Sequence, residues 1–300
     1  MFEAFTKILP ILLIFALGYL LKKTNSLKAE DGGLLLKLCF YVGSPALTYL
    51  SVSQLKMSPG LLVFPAAAVL TTLTLYGVDL LVVKRLSAPR ETLGVYMTGT
   101  LIANTSFVLP FLLAVYGPEA VGRLAMYDLA GGFLIFAFVY SIAISYGDRE
   151  PSTAFILRKI LVSPPIWGLL LGLIANFTHF TTPPVLETVL QNLAATVSPL
   201  VMLAMGLAFS PQLLYPRLLS LGLLTRMVGG MMIGLMVAVV MGLSGVDRMV
   251  VVMCAGAPIG FTTLTFATME KLDTKFAASL LSVAIGIGLV LTPFLTMIGT

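Results

Sequence analysis

Apolar residues gather into ten long runs separated by short polar stretches: Phe2–Leu21, Gly32–Val52, Gly60–Val83, Thr92–Tyr116, Pro118–Ser145, Phe155–Phe177, Pro184–Phe209, Leu218–Leu243, Val246–Met269 and Thr274–Ile298. About 20 apolar residues in helical form cross a hydrocarbon core of ~30 Å, so each run predicts a transmembrane helix. The connections leave no room for a separate soluble domain. The first run has the apolar centre of a signal peptide, but Lys22-Lys23 follow it and no small-residue cleavage site appears, so it reads as a span.

The pattern repeats. At an offset of 154 positions, Pro10 falls on Pro164, Gly18 on Gly172, Ser44-Pro45 on Ser198-Pro199, Ala103 and Phe107 on Ala257 and Phe261, and Ala130 and Gly132 on Ala284 and Gly286. One gap-free shift therefore links five spans of the first half to five of the second. A unit with an odd number of spans inserts its second copy upside down, as many secondary transporters do. The expected fold is an all-α integral membrane protein of ten transmembrane helices in two inverted five-helix repeats. The expected domains are residues 1–146, a short cytoplasmic link at 147–154, and residues 155–300.

Two spans lose the helical pattern in mid-membrane. Span four reads Ala103-Asn104-Thr105-Ser106-Phe107-Val108-Leu109-Pro110, and its mate in span nine reads Gly256-Ala257-Pro258-Ile259-Gly260-Phe261. Proline removes a backbone donor and glycine tolerates an unwound backbone. Freed backbone groups at that depth survive only when buried in protein or lining a cavity. Two discontinuous helices crossing there would bring half-helix N-termini, with their partial positive charge, to one centre suited to an anion. Asn104, Thr105, Ser106, Pro110, Gly256, Ala257, Pro258, Ile259 and Gly260 are the candidate substrate-binding residues. Thr262, Thr263, Thr265 and Thr268 follow the second break, where such hydroxyls commonly bond preceding helical carbonyls. Ser44-Pro45 and Ser198-Pro199 are expected to bend spans two and seven.

Charge sets the orientation. Thirteen of the 18 Lys and Arg residues fall on one side of the ten spans, four on the other, and Arg226 lies inside a span. Basic loops stay cytoplasmic, so both termini are expected outside the membrane that the chain spans, taken here as a cell inner membrane. The net charge of +5 follows from that bias and calls for no nucleic-acid partner. Cys39 and Cys254 sit singly in spans, which predicts neither a disulfide nor a zinc site. His179 is expected in an outer loop.

Ionisable residues within spans are functional candidates by default. Asp128 is expected in the outer half of span five, and its mate Ser282 differs, as a proton or cation role in one copy would require. Arg226 is more than two turns inside span eight. The two form a candidate coupling or charge network. Asp79, a little over a turn from Lys84, reads as its interfacial partner. Gly168-x-x-x-Gly172 and Gly230-x-x-x-Gly234 fit close helix packing. No metalloprotease, phosphate-loop or paired membrane-aspartate motif is present, which argues against an enzyme and against any bound cofactor beyond a coupling proton or sodium ion.

Leu9–Leu21, Phe40-Tyr41-Val42-Gly43-Ser44-Pro45-Ala46-Leu47, Ala103–Pro110, Tyr127-Asp128-Leu129, the stretch from Val197-Ser198-Pro199-Leu200 to Gly206-Leu207, and Ala255–Gly260 together resemble the auxin efflux carrier family of permeases. The long hydrophilic central loop of many plant members is absent, and the second break carries Gly-Ala-Pro-Ile-Gly. The resemblance implies an architecture similar to bile-acid/sodium symporters, with spans one, two, six and seven as scaffold and spans three to five and eight to ten as a moving, elevator-type core. It also implies transport of a small organic anion, an auxin-like carboxylate or a dicarboxylate. A homodimer is a candidate assembly. A sodium-coupled symporter of the bile-acid type and a non-transporting membrane sensor or scaffold are the alternatives.

Overall fold

The computed structural model describes residues 2–56, 58–147 and 163–298. Its helices are α1 (Phe2–Lys23), α2 (Asp31–Ser53), α3 (Gly60–Val83), α4 (Arg90–Leu101), α5 (residues 105–116), α6 (residues 118–146), α7 (Pro164–Phe177), α8 (Pro184–Ala208), α9 (Pro216–Val240), α10 (Gly245–Ala255), α11 (Thr262–Met269) and α12 (Thr274–Ile298). No strand occurs among the described residues. The link expected at 148–154 and the start of the sixth run, with Arg149, Arg158 and Lys159, lie outside them.

Seven continuous helical stretches are long and apolar enough to cross a membrane. One of these, Thr105–Tyr146, runs for 42 residues and divides at Gly117, where φ is +75° and ψ −171°. Glycine adopts that left-handed region without a Cβ clash, and Pro118 then opens α6 at a position whose amide has no helical partner. The fourth apolar run is split into α4 and α5, and the ninth into α10 and α11. Leu13, Leu81, Val240 and Val290 are each more than half exposed. A continuous apolar exterior of this kind is a liability in water and a match to hydrocarbon, so the chain is an integral membrane protein.

Small residues set the closest helix contacts. A Cβ on Gly18 of α1 would overlap the Leu203 carbonyl of α8. On α7, a Cβ on Gly172 would lie 3.1 Å from the Tyr49 carbonyl of α2, and one on Gly168 would stand 2.8 Å from Pro45 Cα. The Gly168/Gly172 pair thus packs two helices of the same chain, as the spacing predicts. The helical pattern is locally irregular beside both Ser-Pro pairs. A π-turn at Cys39–Gly43 immediately precedes Ser44-Pro45. In α8 the helix is interrupted at Thr196, two residues before Ser198-Pro199. The wider turn accommodates a proline whose ring and missing donor disturb the regular ladder. His179 is exposed between α7 and α8, with a left-handed φ of 52°.

Candidate functional site at the crossing of two broken helices

The breaks in the fourth and ninth runs meet. Asn104 N–H donates to the Pro258 carbonyl at 2.7 Å, and Gly260 N–H donates to the Ile102 carbonyl at 2.9 Å, forming an antiparallel bridge between Ala103 and Ile259. Each extended stretch thereby satisfies backbone groups that the other exposes at a depth without water. Asn104 also starts α5: its Oδ1 accepts from Phe107 N–H at 3.1 Å, and its Nδ2 donates to the Ile259 carbonyl at 3.4 Å. One side chain caps a half-helix and holds the opposing strand-like segment. Gly260 is required by close approach, since a Cβ there would come within 2.7 Å of Ile102 Cγ2.

Beside the crossing lies a cavity of about 380 Å³ between α2, α5, α6 and α7. Its polar lining is Ser44 and Thr48 of α2, Thr105 and Ser106 of α5, Asp128 of α6, and Ser163 and Thr262. Thr105 Oγ1 donates to Asp128 Oδ2 at 3.0 Å. Asp128 is therefore beside the first turn of α5, level with the crossing. Ten residues separate it from Pro118, a rise of about 15 Å along α6. It is the one charged residue on the described lining.

Two expectations, those for Pro110 and Asp79, are corrected by the geometry. Pro110 is not at the break but buried inside α5, with the helix already begun five residues earlier under the Asn104 cap. Its missing N–H withholds the helical partner of the Ser106 carbonyl, beside the cavity. Gly256, Ala257, Pro258, Ile259 and Gly260 are brought to the crossing but are all buried and do not line the cavity; they hold the first break from behind. Asp79 is not the partner of Lys84. It is fully buried, and its Oδ2 accepts from Thr100 Oγ1 at 2.6 Å, with Tyr96 and Arg226 beside it.

Arg226, also buried, lies on the π-turn Leu224–Gly229 of α9. It donates through NH1 to the Thr100 carbonyl at 3.0 Å and through NH2 to the Ala255 carbonyl. Among the described residues no ion pair joins it to Asp128. Of the threonines after the second break, Thr262 reaches the cavity, Thr263 is buried, and Thr268 bonds the Leu264 carbonyl at 2.9 Å, the local bonding expected of helical hydroxyls. Thr48 and Ser163 have no sequence signal that separates them from other hydroxyls in apolar runs. Asp79 had one, since an acid inside an apolar run is costly wherever it lies.

Comparison with known proteins bears on this arrangement. A family model described as membrane transport protein matches residues 3–296. The chain is 25% identical over 283 residues to an uncharacterized transporter of Methanocaldococcus jannaschii, covering 91% of each protein. It is 23% identical over 296 residues to an uncharacterized transporter of Methanothermobacter thermautotrophicus, covering 97% of each. With the broken helices and the cavity inside one match that runs almost from end to end, the chain belongs to the auxin efflux carrier family of membrane transport proteins.

Proposed function

We propose that this protein is a secondary transporter that moves a small organic anion, a monocarboxylate of auxin-like type or a dicarboxylate, by alternating access at the crossing. The single observation that carries the proposal is the juxtaposition of Thr105 and Ser106, first residues of a capped half-helix, with Asp128 in one cavity. The Phe107 amide is taken by Asn104 and the Asn104 amide by Pro258, which leaves the Thr105 and Ser106 amides as first-turn donors for a cargo carboxylate. Asp128 shares that end of the helix. Two carboxylates at one helix start repel each other, so the anion enters when Asp128 carries a proton and leaves when it does not. Proton and anion then move together.

The moving parts follow from the packing. Gly18 of α1 seats against Leu203 of α8, and Gly172 of α7 seats against Tyr49 of α2. At the offset of 154, Gly18 matches Gly172 and Tyr49 matches Leu203, so the two contacts are mates. Asn104 and Pro258 are mates at the same offset, and they face each other at the centre of the bridge. These pairings support two inverted five-helix repeats, ten spans in all, with α1, α2, α7 and α8 as scaffold and the remaining helices as an elevator-type core. With basic loops inside, both termini face outward from the inner membrane.

A ligand panel tests the cargo site. Indole-3-acetate, malonate and malate are added to the purified protein, and the ligand-induced rise in melting temperature is read against each variant's own unliganded value. At least one carboxylate should stabilise the parent and Pro10→Ala, a change on an exposed position of α1. Asn104→Ala and Pro258→Ala should lose that stabilisation. Equal stabilisation of all four proteins would place the cargo elsewhere. A rise that requires sodium, with pH having no effect, would favour the sodium-coupled reading, for which Asp128 and the Thr105 hydroxyl are the available oxygen ligands.

A further inference from the structure

Arg226 occupies a place that the cargo site does not use. Its two hydrogen bonds go to Thr100, in the last turn of α4, and to Ala255, the last residue of α10. These are the C-terminal ends of the two half-helices that stop at the crossing. Such ends carry partial negative charge and carbonyls without intrahelical partners. A planar guanidinium with five donors serves both at once, which an ammonium would do less well. The local backbone is shaped for it. A π-turn carries Arg226 inward, and at Gly230 a Cβ would overlap the Ala255 carbonyl, so only glycine lets α9 come this close.

Asp79 completes the arrangement. Thr100 is shared: its carbonyl accepts from Arg226 and its hydroxyl donates to Asp79 at 2.6 Å. Between this cluster and Asp128 lies a small cavity of about 40 Å³, lined by Thr71, Thr105, Tyr127, Asp128 and Arg226 among others. A water needs roughly 10–15 Å³ of such space, and Arg226 Nε is buried without a hydrogen-bond partner. Polar space with an unpaired donor is where an internal water binds. Two acids and one cation buried together leave one negative charge too many for a low-dielectric site unless a carboxyl is protonated.

We propose that Asp79 and Arg226 form a fixed charge clamp that ties the C-terminal ends of α4 and α10 together and, through water in the small cavity, governs proton uptake by Asp128. The proposal rests on the reading of Asp128 as the coupling group. Asp79, bonded by the Thr100 hydroxyl and with the Arg226 cation nearby, is assigned the charge. Asp128 faces the larger cavity and takes the proton. The other groups around Asp128 are accounted for: α2, α5, α7 and α11 present hydroxyls and no charge on the described lining. The phenols of Tyr96 and Tyr127 and the thiol of Cys254 surround the cluster from α4, α6 and α10.

Infrared difference spectroscopy of the purified transporter, titrated with pH and without cargo, reads the clamp directly. The carboxyl band of Asp128 is identified by its loss in Asp128→Asn. Asp79→Asn frees Arg226 to favour ionised Asp128, so the midpoint of the band should fall by about one pH unit or more. Arg226→Gln should move it up by a similar amount, and the double variant should return close to the parent. Midpoints that do not move, or that move in the same direction in both single variants, would overturn the clamp. If Asp79→Asn does not fold, its rescue by adding Arg226→Gln supports the pair, and failure of that rescue overturns it. A band that never titrates removes the proton role of Asp128 itself, whereas a titrating band indifferent to Asp79 and Arg226 removes only the clamp.

Discussion

Asn104 shows how much one side chain can hold. It caps α5 through Phe107, reaches Ile259 with its amide, and through its backbone bonds Pro258. Loss of a cap alone costs about 0.5–2 kcal/mol, so Asn104→Ala should lower unfolding stability by that amount as well as remove cargo binding. Asn104→Asp retains an acceptor for the Phe107 amide but places a carboxylate at the helix start. It keeps the cap but loses the donor to the Ile259 carbonyl, so it should be measurably destabilised and also fail to be stabilised by malonate or indole-3-acetate. Parental binding by Asn104→Asp would show that no anion meets this helix end. In the sequence Asn104 was legible as a polar residue at a mid-membrane break, and its capping role required knowing where α5 begins. Asp79 was legible as an acid in an apolar run but not as a partner of Thr100, because nothing along α3 reveals which residues of α4 and α9 arrive beside it.

The helices themselves were largely written in the pattern of apolar runs. The third and tenth runs coincide with α3 and α12, and the breaks in the fourth and ninth lie at Ile102–Asn104 and Gly256–Phe261. Pro110 was the misleading residue, for a helix begun under a good cap can carry a proline one and a half turns in, at the cost of one hydrogen bond. The π-turns at Cys39–Gly43, Ile135–Val139 and Leu224–Gly229 had no signature in the sequence, since each depends on what the wider turn must fit. Close approach, by contrast, is predictable from the structure. Gly230→Ala would press a methyl group into the Ala255 carbonyl and separate α9 from α10. Overpacking of that kind costs about 1–3 kcal/mol, which a thermal-unfolding comparison with the parent would register. Gly33→Ala, on α2 with no neighbour within 4 Å of the added Cβ, should leave the melting temperature unchanged or slightly raised. Equal behaviour of the two variants would mean that α9 and α10 do not meet this closely.

At the scale of the whole molecule, the offset of 154 residues carries the most information, because it relates contacts that lie far apart. The bridge at Asn104 and Pro258 and the glycine contacts of α1 and α7 obey it, while Asp128 and Ser282 depart from it. Ser282 Oγ accepts from the Ser210 amide, so the second half of the chain uses this position to fasten the segment after α8. The first half thus carries an ionisable carboxyl beside the crossing and the second a structural hydroxyl. That asymmetry is where transport driven by a gradient would reside. The most direct measurement is uptake of radiolabelled malonate or indole-3-acetate into proteoliposomes under an imposed pH gradient, for the parent and for Asp128→Asn. The account predicts accumulation above equilibrium by the parent, collapse of that accumulation when the gradient is dissipated, and only downhill equilibration by Asp128→Asn. Gradient-driven accumulation by a well-folded Asp128→Asn variant would contradict it.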